Sequence, residues 1–510
     1  MLDAPSSTNL DPRLPVVIGV GQLNQRVDRG EPALEPVDLV AEAARRAAAD
    51  SGGRDVLAAI DSIRIVSILS WRYRNPGALV ADRIGCSLPD RPGTSVYSTV
   101  GGNQPQSLLN RAALDIAAGR NDLVLVGGGE AWRTRTRFRK DGSQPEWTVE
   151  PDDQPAAEVF GKELPMASDL ELSRGVMMPV QVYPMFESAW RAANGWTLDE
   201  HRDRLGQLWS RFSEVAAHNP AAWIQQAYTP EQLMTVGPDN RMIGLPYPKL
   251  LNSNNAVEQG AAVLLCSVEK ARELGVPSDR WVFLHAGTDG ADTIYVSNRL
   301  TLDASPAVRL AGRRVLELAG VGTDDLAHVD VYSCFPSAVQ IAAHEIGLGS
   351  GIGSDRPLTV TGGLSFAGGP WNNYVTHGVA TMAGLLRDAD AGATGLCTAN
   401  GGFITKHAFG VYGNRPPAGG FRHDDLQPAI DALGKTEAAT ETAGDASVEA
   451  YTVMHDRDGQ PETGFVAARL ADGRRTWGRL TEPADVKAMV TAECVGRGVS
   501  VGSDGTGHLA

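Results

Sequence analysis

The chain has 510 residues, 42% of them hydrophobic and only 6% aromatic, with 57 glycines; this is the composition of an α/β protein of about three domains. Its net charge of −15 argues against nucleic acid and anionic membrane surfaces as partners. No run reaches the ~18–20 apolar residues of a membrane span.

Met1–Leu14 is polar, with no basic stretch leading into an apolar one, and reads as no secretory signal. Val16–Val20 is the first predicted strand. A helix follows over Pro36–Ser51, with Leu39, Val40, Ala43, Ala44 and Ala47 on one face and Gly52-Gly53 just past its end. Ser62–Ile68 and Asp122–Val126 are further strands, and Pro105–Ala118 is a helix between them. The second half repeats this order: strand Trp281–Ala286, helix Pro306–Ala319, strand His328–Tyr332, helices Ser337–Ile346 and Asn372–Arg387, strand Gly395–Thr398. Glycines are expected to follow the last strand of each half, at Gly127–Gly129 and at Gly401-Gly402. Alternation of this kind, repeated over about 120 residues, predicts two parallel-type sheets stacked through a shared helical layer.

Residues 135–250 interrupt the repeat. Within them, 141–165 read as a surface excursion and Asp199–Ala217 as an amphipathic helix burying Leu205, Leu208, Trp209 and Phe212. A linker rich in proline and glycine spans 414–447. From Glu449 the pattern turns to hairpins, with Asp-Gly turns near Gly459 and Gly473 and a short helix at Asp485–Glu493, as in a small β-barrel. The predicted boundaries are 1–134 with 251–280, then 135–250, 281–413, 414–447 and 448–510.

Five cysteines, Cys86, Cys266, Cys334, Cys397 and Cys494, include no C-x-x-C, which excludes a zinc ribbon and points to a reducing cytoplasm. Arg133, Arg135, Arg137, Arg139 and Lys140 alternate in W-R-T-R-T-R-F-R-K. In an extended segment four arginines would share one face, as a phosphate-binding strip or as a solvated edge. The glycine-rich loops Gly101–Pro105 and Gly368–Asn373 each lead into a helix. Their N–H groups suit a carbonyl or carboxylate oxygen, although glycines there also fit backbone demands alone. Gly19-x-Gly21 lacks the third glycine of a dinucleotide loop, since Asn24 stands there. His344-Glu345 has Leu348 where a zinc protease needs histidine. No metal is implied.

Several stretches carry a resemblance: Val16–Gly21, Leu123–Glu130, Tyr183–Trp190 with His218-Asn219-Pro220, Asn252–Glu269 (Gln259 standing where an acid is usual), Asp330–Phe335 and Thr361–Pro370. Over residues 16–413 the chain resembles thiolases, most of all the sterol-carrier-protein type. With its extension it is similar to the thiolase-like protein type 1 group that has an additional C-terminal domain. The resemblance implies an α/β thiolase fold, two duplicated βαβαβαββ halves in five layers α-β-α-β-α, with a loop-domain insertion and a small OB-like C-terminal domain.

The resemblance also assigns four chemical positions. The nucleophilic cysteine falls at Gly102, the histidine of the H-D-C-F box at Tyr332, the G-H-P histidine at Gly369 and the second cysteine at Thr398. Thiolysis needs a thiolate to accept the acyl group, a histidine to activate it and donors for the thioester oxygen; glycine cannot form an acyl-enzyme. The expectation is therefore a protein of lipid or fatty-acid metabolism that binds acyl-CoA or a CoA-linked lipid without ordinary thiolase activity. The arginine strip would meet the CoA phosphates, and no cofactor would be tightly bound. An acetyl-CoA-acetyltransferase-like acyltransferase or thioester hydrolase is the alternative, using Cys334, His377 or His407 with Asn400 donating to a carbonyl. Against it, Cys334 also reads as a small buried hydrophobe and the two histidines as satisfied core or surface groups. A scaffold docking a protein through the C-terminal module is a third reading. Family members are implied to be dimers or tetramers; because the added module can cover the usual dimer face, a monomer is favoured over a homodimer here.

Overall fold

The computed structural model describes residues 10–27, 32–353, 355–440 and 444–510. The leader reading rests mostly on residues 1–9, and part of the linker on 441–443; both lie outside the described residues.

β1 (Pro15–Asn24) is followed by α1 (Pro36–Ser51), which ends at Gly52 with φ 66°, a left-handed cap that glycine adopts without a Cβ penalty. Next come β2 (Ser62–Ile65), α2 (Pro76–Ile84), β3 (Ser95–Ser98), α3 (Gln104–Ala117) and β4 (Leu123–Ala131). Gly127–Gly129 lie inside β4 and not after it. Helices press on the strand there: a Cβ on Gly128 would stand 2.5 Å from the Asn373 side chain, and one on Gly129 2.5 Å from the Pro36 carbonyl.

The arginine strip is a helix, α4 (Trp132–Lys140), and not an extended edge. The face between the arginines, Trp132, Thr134, Thr136 and Phe138, is only half apolar. Arginine and lysine are good helix formers, and three basic residues in the last turn suit the negative end of the helix dipole. At 3.6 residues per turn the arginines divide between opposite faces, Arg133 with Arg137 and Arg135 with Arg139.

The insertion contributes β5 (Glu158–Phe160), α5 (Asp169–Ser173), α6 (Pro179–Ala193), α7 (Leu198–His218), α8 (Pro230–Met234), β6 (Met242–Gly244) and β7 (Tyr247–Pro248). The predicted surface excursion thus includes an edge strand, since β5 pairs with β3. β8 (Glu258–Ser267) runs antiparallel between β1 and β4, and α9 (Val268–Glu273) leads into the second half. That half has β9 (Val282–Ala291), α10 (Pro306–Ala319), β10 (Leu326–Asp330), α11 (Pro336–Ile346), α12 (Gly363–Phe366), α13 (Tyr374–Asp388), β11 (Thr394–Gly401) and β12 (Lys406–Gly413).

The half-sheets run β5-β3-β2-β4-β8-β1 and β10-β11-β12-β9. They are not separate: β1 meets β9 at Val16–Phe283 and Val17–Val282, so hydrogen bonding is continuous at that corner. α3 and α13 lie between them and touch strands of both; α1 covers the outer face of the first and α10 that of the second. Five layers result.

The expected linker contains β13 (Arg422–Asp425), parallel to β9, and α14 (Gln427–Asp431). The C-terminal sheet follows with β14 (Gly444–His455), β15 (Pro461–Leu470), β16 (Arg475–Leu480), α15 (Pro483–Thr491), β17 (Gly498–Val501) and β18 (Gly507–Leu509). Its order is β16-β15-β14-β17-β18, and an Arg479–Thr506 bridge brings the ends together around Val448, Val453, Val466, Leu480 and Met489.

The module is fastened twice. β6 pairs with β14 at Gly244–Met454, and Leu245 N donates to the Val453 carbonyl at 2.9 Å. Arg475, fully buried, holds Glu449 at 2.7 and 2.8 Å and donates through Nη1 to the carbonyls of Val296, Ser297 and Arg299.

Candidate functional site

The turn Val100–Asn103 brings the chain from β3 into α3 at the seam between the halves. Gly101 N donates to Asn372 Oδ1 at 3.1 Å, and Asn372 Nδ2 donates to the Ser67 carbonyl. The two glycine-rich loops are thereby tied to one another.

Gly102 faces Tyr332 and Asn400. A Cβ on Gly102 would lie closer than 3.0 Å to both the Tyr332 hydroxyl and the Asn400 carbonyl, a separation real side-chain carbons essentially never show. Tyr332 follows β10, and its N–H donates to Thr398 Oγ1 at 2.9 Å. Its hydroxyl has no hydrogen-bond partner among the described residues, and burial pushes the phenol above its ordinary range, so it keeps its proton at neutral pH.

Asn400, at the end of β11, donates to the Tyr183 hydroxyl at 3.0 Å and reaches Cys334 Sγ at 3.8 Å. Burial pushes the Cys334 thiol up to about 12. His407, in β12, is held down to about 4 by burial; its Nε2 lies 3.9 Å from Asp292 and accepts no hydrogen bond. A cavity of about 10 Å³, the size of a single water, is lined by Tyr332, Thr398, Asn400 and His407.

Two of the three described non-glycine residues with positive φ flank this place: Trp371 (φ 48°) and Ile404 (φ 51°). Strain of this kind, on the order of 1–3 kcal/mol per residue, collects at functional sites. Ile404 is β-branched, and its N–H is held by the Tyr183 hydroxyl at 3.2 Å.

A family model for the thiolase-like protein type 1 additional C-terminal domain matches residues 425–506. The whole chain is similar to the crystal structure of a monomeric SCP2-thiolase-like protein type 1 from Mycobacterium smegmatis. That match has a TM-score of 0.83 and 33% identity, over 98% of this chain and 100% of that one. The chain belongs to the SCP2-thiolase-like protein type 1 family.

This thiolase-like type 1 protein shares its fold with more distant structures. An Ltp2-ChsH2(DUF35) aldolase superposes with a TM-score of 0.60 at 20% identity, over 79% of this chain and 98% of that one. An acetyl-CoA acetyltransferase of Methanocaldococcus jannaschii is 26% identical over 243 residues, 47% of this chain and 53% of the relative. The match therefore spans about half of that enzyme.

In the thiolase-like type 1 protein, Gly102, Tyr332, Thr398, Asn400, Cys334 and His407 come together; other candidates do not join them. Gly369 packs on Ser253–Asn255, ahead of β8, its N–H donating to the Asn254 carbonyl at 2.9 Å. His377, in the first turn of α13, places Nδ1 2.8 Å from Gln22 Oε1, and burial holds it down to about 3. Among the described residues no cysteine hydrogen-bonds a histidine.

On α4, Arg137 donates to the Val27 carbonyl and Thr134 Oγ1, and Arg135 lies over the Trp71 ring at 5.5 Å. Arg133, Arg139 and Lys140 form no ion pair among the described residues. The helix borders a groove of about 630 Å³ lined by Arg137, Phe138 and Trp147.

Sequence reasoning missed Tyr183, Asn372 and Lys406 as site residues. Lys406 Nζ donates to the Val100 carbonyl at 2.8 Å, and partial burial lowers its pKa. Asn372 stands inside the glycine-rich loop Gly368–Asn373, and Lys406 lies four residues after Gly401-Gly402. Tyr183 comes from the insertion, and nothing in its local pattern points at the seam. No helix among the described residues is long and apolar enough to cross a membrane.

Proposed function

We propose that this protein binds an acyl-CoA or a CoA-linked lipid without thiolytic turnover, as a monomeric accessory protein of lipid metabolism in the cytoplasm. One observation carries the non-thiolytic part: the Tyr332 hydroxyl stands where a side chain at position 102 would begin. An acyl-accepting group has neither an atom nor a place there. Arg133, Arg139 and Lys140, which form no ion pair among the described residues, and a groove along α4 lined by Arg137, Phe138 and Trp147 beside the acidic Asp141 and Glu146, support the docking of a phosphorylated, ring-bearing ligand. The family resemblance supports CoA as the carrier.

The hydrolase or acyltransferase reading needs a thiolate and a base. Cys334 is held near 12 and its hydrogen-bonding side chains are Tyr183 and Asn400, neither of them a base, while His407 faces Asp292. Calorimetry of the full chain with acetyl-CoA and with CoA tests the proposal. Saturable binding, weakened about tenfold by Arg139→Ala with Lys140→Ala and leaving the thioester intact, is expected. Absence of binding at about millimolar ligand removes the binder; turnover lost on Cys334→Ser hands the site to the rival.

A further inference from the structure

The side chains gathered at Gly102 are uncharged at neutral pH: the Tyr332 phenol, the Cys334 thiol, the Thr398 hydroxyl, the Asn400 amide and the His407 ring. Lys406, directly before His407 in β12, sets a positive charge beside them. It is half-buried, and its Cδ lies 3.6 Å from where a Cβ on Gly101 would stand. Its Nζ donates to the Val100 carbonyl at 2.8 Å. An ammonium carries three donors; the other two have no acceptor among the described residues.

The same turn offers a second donor. Val100 N–H meets Glu163 Oε2 at 3.3 Å, a long contact made by an exposed side chain. Glu163 arrives from the insertion. Thr99 N donates to the Phe160 carbonyl at 2.9 Å, continuing the pairing of β3 with β5. Gly161, at φ 94°, then closes on the turn so tightly that a Cβ there would stand 2.6 Å from Thr99 Oγ1. The Glu163 charge acts on Lys406, yet the two form no ion pair.

One carboxylate can reach both donors. The backbone N and O of a residue lie within about 3.6 Å of each other, so Lys406 Nζ is at most about 6.4 Å from Val100 N. Two carboxylate oxygens about 2.2 Å apart, each in a hydrogen bond of about 2.9 Å, span up to about 8 Å.

We infer that the Val100 N–H and the Lys406 ammonium form a binding site for a ligand carboxylate beside Gly102, and that Glu163 occupies part of it until the ligand arrives. An ionised acceptor gains most from an ammonium, and an exposed carboxylate on one long hydrogen bond has little to hold it. This site deepens the acyl-CoA reading and rests on it for the carrier alone; the acyl group it selects bears a carboxylate at its far end.

Calorimetry of the full chain compares glutaryl-CoA with pentanoyl-CoA, which has the same chain length and no terminal charge. Glutaryl-CoA is expected to bind about tenfold or more tighter. Lys406→Met should erase that preference and Lys406→Arg keep most of it. Glu163→Ala, by emptying the site, should tighten glutaryl-CoA about threefold and leave pentanoyl-CoA unchanged, with thermal unfolding confirming that each variant is folded. Equal affinity for the two thioesters, a preference that survives in a folded Lys406→Met protein, or a Glu163→Ala protein that binds glutaryl-CoA no more tightly than the parent overturns the inference and leaves the acyl-CoA reading standing. If neither thioester binds, that reading falls and free glutarate decides: saturable binding lost on Lys406→Met upholds the site, and none up to about 10 mM removes it.

Discussion

The hydroxyl of Tyr332 and the missing side chain of Gly102 compete for one position. Inserting a thiol there overpacks the seam. Gly102→Cys is expected to cost about 1–3 kcal/mol in urea unfolding and to yield no thiolysis of a 3-ketoacyl-CoA. Adding Tyr332→Ala should recover part of the lost stability by vacating the position. A stable, thiolytic Gly102→Cys protein would show that the tyrosine yields.

Cys334 should be chemically quiet. With its thiol near 12, the thiolate fraction at pH 8 is about one in ten thousand. All five cysteines are free and buried. Alkylation followed by mass spectrometry should find far less than one modified thiol in the native protein and all five after denaturation. One fast-reacting thiol in the native state would revive the enzymatic reading.

His377 should make the fold acid-sensitive. Its folded pKa of about 3 lies below the ordinary histidine value of 6.5, so between these limits the unfolded chain binds the extra proton. The stability contributed by the neutral ring is complete above pH 6.5 and is lost as pH falls toward 3. His407, at about 4, acts in the same direction. His377→Gln should flatten the decline by about 1.4 kcal/mol per pH unit between pH 4 and 6, read from urea midpoints across that range. An unchanged slope would mean that this ring does not stay neutral.

Arg475 should be the pin of the C-terminal module. Arg475→Met removes a donor from three carbonyls and leaves Glu449 with Arg469 as its one remaining arginine, and removing one partner of a buried pair costs up to about 3–5 kcal/mol. Calorimetric unfolding is expected to separate into two transitions, with the module melting first. A single transition at the parent temperature would assign the fastening to β6 and β14 alone.

Buried strands and their helices were legible in the sequence because they announce themselves through apolar runs and helical spacing, as at Val16–Val20 and in α1. Segments whose state is set by their neighbours were not. Gly127–Gly129 look like a turn until α1 and Asn373 are seen crowding β4, and α4 looks extended because its arginines alternate with Trp132, Thr134, Thr136 and Phe138. At the seam, the space left by a glycine at position 102 could be read from the residue itself. Its occupant could not: which hydroxyl fills it depends on how β10 meets α3, some 230 residues away in the chain. His377 lies only eight residues after Gly369, yet its ring meets Gln22, a contact that no local pattern reveals.

The pairing of β6 with β14 also bears on how the chain matures. The insertion's short strand leaves the ribosome about two hundred residues before the strand it joins, roughly 10–40 s at ordinary rates of synthesis. Throughout that interval a newly made edge stands without its neighbour, a template for pairing with the wrong chain. Nascent copies truncated before residue 444 should therefore depend on chaperone shielding in a way that finished copies do not.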